Sequence, residues 1–452
     1  MLASLAQSRK ADASSIAIVG GGASGALMTA HLLRFAGDAI RLTLIEPRAK
    51  IGRGLAYATE NESHRLNVRA SNMNAFPDDP DHFWRWLRTN GHRGEDRFCF
   101  VPRLVYGRYL GSLIEDRLAE SDAPRARWLR ETVTSLSERD GSVTLGFSGR
   151  QTAVFDMAVL CCGHEASETL EAPFVSPWQD PNSWNTAPDS TILILGTGLT
   201  MVDAAIALSE SGHRGPIVAL SRRGLLPQAH RRVDVAPIAQ TELPSPATLA
   251  PVLHWLRARA RDKMRSGGDW RGVIDGLRPH VQAIWRAMPS QSRRRFLEHA
   301  RPWWDIHRHR MAPEVETKIR ALQESGEVDA KRDGASVSIR PRASEVEVRL
   351  DVSRIVSCRG LTSDPRRSSN PLVTQLVAEG YARVDPLGIG LDVDNDCAVV
   401  DARGRASERI FAVGPMSQAA FWEAIAVPDI RLQAALLARR LTEQARFSAE
   451  AT

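Results

Sequence analysis

Lysine is almost missing from this chain. It is confined to Lys10, Lys50, Lys263, Lys318 and Lys331, so arginine carries nearly all of the positive charge. The excess is modest, +6 over 452 residues. It is spread along the chain rather than gathered into a tail, which argues against nucleic-acid binding and leaves local arginine clusters for anionic groups. Cysteine is scarce too. Cys99, Cys161, Cys162, Cys358 and Cys397 show no CxxC and no metal-ligand spacing, which excludes a disulfide framework, a metal site and a dithiol redox motif. That usage points to the reducing cytoplasm. No apolar run reaches the ~20 residues that would span a bilayer. The first dozen residues, MLASLAQSRKAD, lack the basic-then-apolar order of a signal peptide and read as a loose leader. What is present, 43% hydrophobic and 25% charged residues, is the composition of a globular protein of two or three domains.

The chain is organised around Ser15 to Glu46. Ile16 to Val19 reads as a buried parallel strand, Gly20-x-Gly22-x-x-Gly25 follows at once, and Ala26 to Phe35 has helical apolar spacing. A second strand, Arg41 to Ile45, ends on Glu46. Strand, glycine turn, helix, strand and acid, in that order, are the parts of a dinucleotide site. Gly20 makes the tight turn, Gly22 admits a pyrophosphate to the backbone, and Gly25 lets the helix close on the sheet. The helix start, Ala23 and Ser24, offers free N–H groups to phosphate, and Glu46 is placed to accept from a ribose diol.

The pattern recurs from Thr191. Ile192 to Leu195 is a strand, Gly196-x-Gly198 the turn with Thr200 just beyond it, and Met201 to Leu208 the helix. Met201 replaces the third glycine, which puts close helix–strand packing in question. The strand Ile217 to Leu220 runs into Ser221-Arg222-Arg223. An acid after the first unit suits an unphosphorylated ribose, and arginines after the second suit a 2′-phosphate. The pair of sites therefore implies FAD first and NADPH second, with NADH left open. The plainer reading of Arg222 and Arg223 is two solvated loop charges.

Between and around these units lie further candidates. Gly52 and Gly54 form a loop that reads either as cofactor contact or as plain surface. Asn67 and Asn72 are the polar residues of the following loop, and Phe83, Trp86 and Leu87 share a core-packing face. Val101 to Leu118 reads as a helix; Val133 to Leu136, Val143 to Phe147 and Ala153 to Val159 read as strands. The last leads into Cys161-Cys162-Gly163, an exit beside the cofactor. Adjacent cysteines suggest redox chemistry, but alternation in a buried strand explains them better. Residues 240 to 325 break the rhythm and read as helices over 249–264, 272–288 and 290–299. This insert holds Arg301-Pro-Trp-Trp-Asp-Ile-His-Arg-His-Arg310. Trp303 and Trp304 with His307, Arg308, His309 and Arg310 suit an aromatic-walled anion pocket; otherwise the tryptophans pack and the charges face water. Strands follow at Ser336 to Ile339 and Val346 to Leu350, then a second strand-to-glycine exit at Ser353 to Gly360. Ile410 to Gly414, Pro415, and the helix Ile430 to Leu441 complete the first domain.

With both glycine turns, both exits and the terminal strand–helix, the chain resembles flavoproteins with two dinucleotide-binding domains. Gly52-Arg-Gly-Leu-Ala-Tyr57, Leu66-Asn-Val68, Trp304-Asp-Ile-His-Arg-His-Arg310 and Gly414-Pro-Met with Phe421-Trp-Glu and Val427-Pro-Asp429 look like the bacterial FAD/NAD(P)-binding family related to class B and N-hydroxylating monooxygenases. The resemblance implies an α/β fold: an FAD domain in two parts (1–165 and 351–452), and an inserted NAD(P) domain (188–350) with a mainly helical insert at about 240–325. It implies a flavin-dependent, NADPH-using oxidoreductase, most readily a monooxygenase forming a flavin C4a-hydroperoxide. The substrate would be a small amine or carboxylate, and O2 the co-substrate. Asn67 would hold the oxygen adduct or the nicotinamide, and Arg308 or Arg310 a substrate carboxylate. Pro415 stands where such flavoproteins usually carry Asp. A reductase or oxidase without oxygen insertion is the nearest competitor, and a flavin-binding sensor the more distant one. Neither nucleic acid nor membrane is an expected partner; substrate identity and oligomeric state are not legible.

Overall fold

The computed structural model describes residues 13–92, 96–119, 125–164, 170–325, 336–339, 348–360 and 363–450. The leader, residues 1–12, and residues 346 and 347 of an expected strand lie outside them. The chain forms two compact units. One comprises 1–60, 69–165 and 362–452, the other 61–68 and 166–361.

The first unit is built on a six-stranded sheet. Ser14–Val19 pairs in parallel with Ile40–Ile45 on one side and Met157–Leu160 on the other. Ala126–Leu129 extends the sheet beyond Ile40–Ile45, and Ala406–Ala412 beyond Met157–Leu160, both parallel. Ala398–Val400 closes that edge antiparallel. Ile16, Ile18, Leu42, Leu44, Val159 and Leu160 are all buried, as strands covered on both faces must be. The helix Ala23–Phe35 packs against the terminal helix Val427–Glu450. Their buried faces use small residues, Ala26 and Ala30 on one and Ala434, Ala435 and Ala438 on the other.

The expected strand Ala153 to Val159 is two strands. Thr152–Phe155 belongs to a separate antiparallel sheet with Ser142–Phe147 and Val133–Arg139. Asp156 makes the break, accepting from the Ser15 N–H and hydroxyl at 2.7 Å each. Met157–Leu160 then starts afresh in the parallel sheet.

The second unit carries a four-stranded parallel sheet in the order Ile217–Leu220, Ile192–Leu195, Arg354–Ser357, Phe174–Val175. Leu193, Val218, Leu350, Val352 and Ile355 form its core. Arg354–Ser357 therefore pairs within this unit, which runs to residue 361, past the expected boundary at 350. The helical insert is present. The expected helix 272–288 is interrupted, however: Trp270–Leu277 and Val281–Ala287 flank a 3-10 turn at Arg278–His280. Pro279 lacks an N–H and cannot continue the ladder. Ser290–Arg295 runs through a π turn into Arg301–Arg308.

Candidate functional site

The turn at Gly20 to Gly25 explains its own sequence. Gly20 has φ +103°, and a Cβ there would sit 2.5 Å from the Cys161 carbonyl oxygen. A Cβ on Gly25 would drive into the carbonyl oxygen of Gly20, so only glycine lets the helix close on the turn. Gly22 is different. It is the N-cap, with φ −71° and ψ −163°, which any residue adopts, and no side chain caps the helix start behind it. A Cβ on it would lie 3.3 Å from Gly54 Cα. The Gly52 N–H donates to the Gly21 carbonyl at 2.8 Å, so the Gly52–Gly54 loop is held against the turn. Uncapped helix N–H groups beside two glycines without Cβ atoms fit a pyrophosphate, and the site thus suits FAD.

Glu46 is 2% exposed at the end of its strand. Its N–H donates to the Leu129 carbonyl at 3.0 Å, and its own carbonyl accepts from the Trp128 indole at 2.9 Å. Its carboxylate accepts from the Gly21 N–H and from Arg48. Burial works to raise the Glu46 pKa, but the Arg48 and Gly21 donors outweigh it and hold the carboxyl below its ordinary value.

Gly414, with φ +81°, turns the chain out of the strand Ala406–Ala412. A Cβ on it would strike the Ser24 hydroxyl, so this turn lies at the start of the first helix. Gln433 of the terminal helix fixes it: its side-chain carbonyl accepts from the Gly414 N–H at 2.9 Å, and its amide donates to Ser417 Oγ at 2.8 Å. Pro415 opens the 3-10 turn Pro415–Ser417. A cavity in the first unit joins Pro415 to Cys162 and Gly163 of the other expected exit, with Asp364, Ser368 and Leu391. Residues 363–368 and 390–391 were not marked by the sequence, because they carry no glycine fingerprint and reach the cavity only through the fold. Cys161 and Cys162 are free thiols. Burial pushes the Cys161 thiol well above its usual range, so it is an inert core residue.

In the second unit Gly196 has φ +110°, and a Cβ on it would clash with the Cys358 carbonyl. Gly198 is the N-cap of Leu199–Glu210, again without a side-chain cap, and its Cβ position is open. Thr200 lies in the first turn, partly buried. Met201 is buried at 5% exposure, and its N–H donates to the Gly198 carbonyl at 3.0 Å. The helix thus forms and packs without a third glycine. Thr197 Oγ1 donates to the Leu225 carbonyl (2.6 Å) and pairs with Ser221 Oγ at 2.9 Å, holding the loop that bears the two arginines. Arg222 is exposed and Arg223 half-buried, with no hydrogen bond or ion pair to a described residue.

Three further residues fall in this unit. Asn67, expected within the first domain, belongs to residues 61–68, which cluster with the second unit. His230 bonds its carbonyl oxygen at 2.9 Å, and the neighbouring His64 meets the Asp203 carbonyl at 3.2 Å. Arg308 and Arg310 are buried, at 7% and 2% exposure, rather than facing water. Arg310 pairs with Asp275, and its Nε and Nη1 find no partner among the described residues. Burial and the neighbouring Arg308 and Arg271 lower its pKa against the pull of Asp275. Of the expected aromatic wall, Trp303 is 50% exposed, and a ring beside Arg310 is that of Trp270, 5.9 Å from the guanidinium carbon. Arg271 lies over the same ring at 4.5 Å and pairs with Asp269 at 3.0 Å. Trp270 and Arg271 escaped notice because they stand thirty residues and more before the arginine-rich motif.

Two dinucleotide-type units, the first assembled from three stretches of chain and the second from the two stretches between them, have the architecture of the flavoproteins with paired nucleotide-binding domains. Residues 17–165 match the model of the FAD-NAD(P)-binding family. No curated protein matches the chain. Among solved structures it is similar to the ornithine N-hydroxylase KtzI of Kutzneria sp. 744, solved with reduced FAD, NADP+ and L-ornithine. There the TM-score is 0.62 at 15% identity, covering 96% of this chain and 99% of that one. The ornithine hydroxylase PvdA of Pseudomonas aeruginosa gives 0.63 at 14%, covering 95% and 99%. DfoA, a cadaverine monooxygenase of Erwinia amylovora solved with FAD, gives 0.62 at 13%, covering 95% of each. At such identities the likeness is one of fold. Among the described residues no helix is long and apolar enough to cross a membrane, and no cluster of ligands could hold a metal ion.

Proposed function

We propose that this protein is an FAD-dependent, NADPH-using monooxygenase that oxidises a small amine- or carboxylate-bearing molecule. The observation that carries this reading is the pair of uncapped, glycine-lined helix N-termini, followed by Glu46 in one unit and Arg222–Arg223 in the other. The similar KtzI, PvdA and DfoA structures, two ornithine hydroxylases and a cadaverine monooxygenase, favour the same class. Bound FAD would supply the chemistry of hydride acceptance from NADPH and activation of O2.

The work left to the chain is binding and orientation. The main-chain N–H groups at Ala23 and Ser24 take the FAD pyrophosphate, and those around Thr200 the pyrophosphate of NADPH. Arg222 and Arg223 pair with its 2′-phosphate, which carries more charge than one guanidinium can neutralise. Gly163 and Pro415 line the cavity that would receive the flavin, and Gly414 shapes the turn just before Pro415. Asn67 offers an uncharged side chain for a polar group of the nicotinamide or substrate. Arg310 supplies partnerless buried donors, and with Arg308 it holds a substrate carboxylate against the face of Trp270. Such a division needs no side-chain nucleophile.

The test measures NADPH oxidation, O2 uptake, peroxide release and hydroxylamine formation with a panel of diamines and amino acids. The reading expects one substrate to raise O2 uptake while peroxide per NADPH falls and a hydroxylated product appears. Peroxide equal to NADPH consumed with every compound would assign an oxidase or reductase instead. No FAD reduction at all would assign a flavin-binding module.

A further inference from the structure

The acceptor positions of Glu46 are already filled. An ionised carboxylate offers about four lone-pair positions. Oε1 accepts from the Arg48 main-chain N–H at 3.0 Å and from Arg48 Nε at 2.7 Å. Oε2 accepts from the Gly21 N–H at 2.8 Å and from Arg48 Nη2 at 2.8 Å. A ribose diol cannot be added to this set. One of the donors has to leave, and the four differ in freedom to do so. Gly21 is fixed: a Cβ on it would sit 2.7 Å from the Glu46 Cβ, and its carbonyl is tied to Gly52. The Arg48 main-chain donor is two residues along the same chain. The Arg48 side chain, by contrast, is 53% exposed against 3% for Glu46, and its guanidinium makes no other hydrogen bond among the described residues.

We propose that Arg48 is an affinity-setting residue of the nucleotide site: its guanidinium stands where the adenosine ribose of FAD binds, and FAD must displace it from Glu46. This rests on the reading of the first unit as the FAD site. Two hydrogen bonds from a planar guanidinium imitate the two hydroxyls of a ribose, since both present paired donors to one carboxylate. FAD binding on this reading exchanges one pair of donors to the buried carboxylate for another, so the carboxylate stays paired. A half-exposed ion pair contributes only modestly, so the expected competition is a factor of roughly three to ten in affinity.

The experiment strips the flavin and titrates wild type, Arg48→Met and Arg48→Lys with FAD, following flavin fluorescence, and with FMN, which lacks the adenosine. Thermal unfolding of each apoprotein verifies that it is folded. Arg48→Met is expected to bind FAD about threefold to tenfold more tightly and to associate faster, with Arg48→Lys between the two and FMN binding unchanged. Equal or weaker FAD binding by folded Arg48→Met would overturn the proposal, and weaker binding would make Arg48 a direct ligand of FAD. If Arg48→Met fails to fold, Arg48→Lys decides alone: affinity equal to or below wild type overturns the proposal. Wild-type binding with no Arg48 effect leaves the FAD reading standing; no FAD binding by any form removes both.

Discussion

Replacing Gly25 by alanine puts a Cβ into the carbonyl oxygen of Gly20, a backbone atom that cannot swing aside. The helix Ala23–Phe35 would have to back away from the sheet, disturbing a contact that includes buried Ala26, Leu27 and Ala30. Overpacking of this kind costs about 3 kcal/mol or more, and for a unit of this size that lowers the melting temperature by about 6–12 °C. Gly22→Val has the opposite profile. Its backbone, φ −71° and ψ −163°, is one that valine adopts readily, and its nearest neighbour is Gly54 Cα at 3.3 Å from the new Cβ. Stability should change by less than ~1 kcal/mol. The isopropyl group would nonetheless stand in front of the helix N–H groups and remove charge-assisted bonds to the pyrophosphate. Losing those weakens FAD binding by at least ~100-fold. The assay is thermal unfolding of the apoproteins beside flavin content after saturation with FAD. A Gly25→Ala protein with the parental melting temperature, or a Gly22→Val protein fully loaded with flavin, would refute the division of labour between the two glycines.

Three other outcomes follow from the geometry. Removing both arginines after the second strand, Arg222→Ala with Arg223→Ala, should raise the NADPH KM by ~10–100-fold while leaving the NADH KM unchanged; an unaltered coenzyme preference would show them to be solvated charges. Arg310→Met should raise the KM for the carboxylate substrate far more than it lowers kcat, because the lost interaction holds the substrate throughout the reaction. An unchanged KM would leave Arg310 a structural partner of Asp275. His31 is fully buried, bonds the Ala75 carbonyl at 3.1 Å, and has its pKa lowered to about 4, chiefly by burial. Its folded pKa lies below the unfolded value near ~6.5. The stability it secures is present above that value and is lost as the pH falls from ~6.5 towards 4, by about 3 kcal/mol. Apoprotein melting of wild type and His31→Leu across that range should converge on acidification; parallel curves would mean that His31 does not control acid sensitivity.

Much of this fold was legible because its determinants are local. Gly20, by its positive φ, and Gly25, by its contact with Gly20, mark a turn that admits few other residues, and the strand runs at Ile16, Leu42 and Ile192 are apolar because both faces are covered. Local signals fail where a contact is made across distance. Asp156 splits an apparently continuous strand by binding Ser15, 141 positions away. Residues 61–68 join the second unit through His64, Asn67 and their partners Asp203 and His230, which no spacing rule connects. An aromatic ring beside Arg310 is that of Trp270, far earlier in the chain, a contact that no local spacing announces. Met201 shows the converse. A missing third glycine reads as a packing defect in the sequence, yet the helix simply accommodates a buried side chain.

Anaerobic titration of the FAD-loaded protein with NADPH, followed by admission of oxygen and an amine panel, distinguishes a monooxygenase from an oxidase or a binding module. A monooxygenase bleaches the flavin band completely with one equivalent of NADPH. On re-oxidation an oxygen atom from labelled O2 is expected in one amine product. A flavin that stays oxidised in the presence of NADPH, or one that re-oxidises with all of the label recovered as peroxide and water, would contradict the monooxygenase reading.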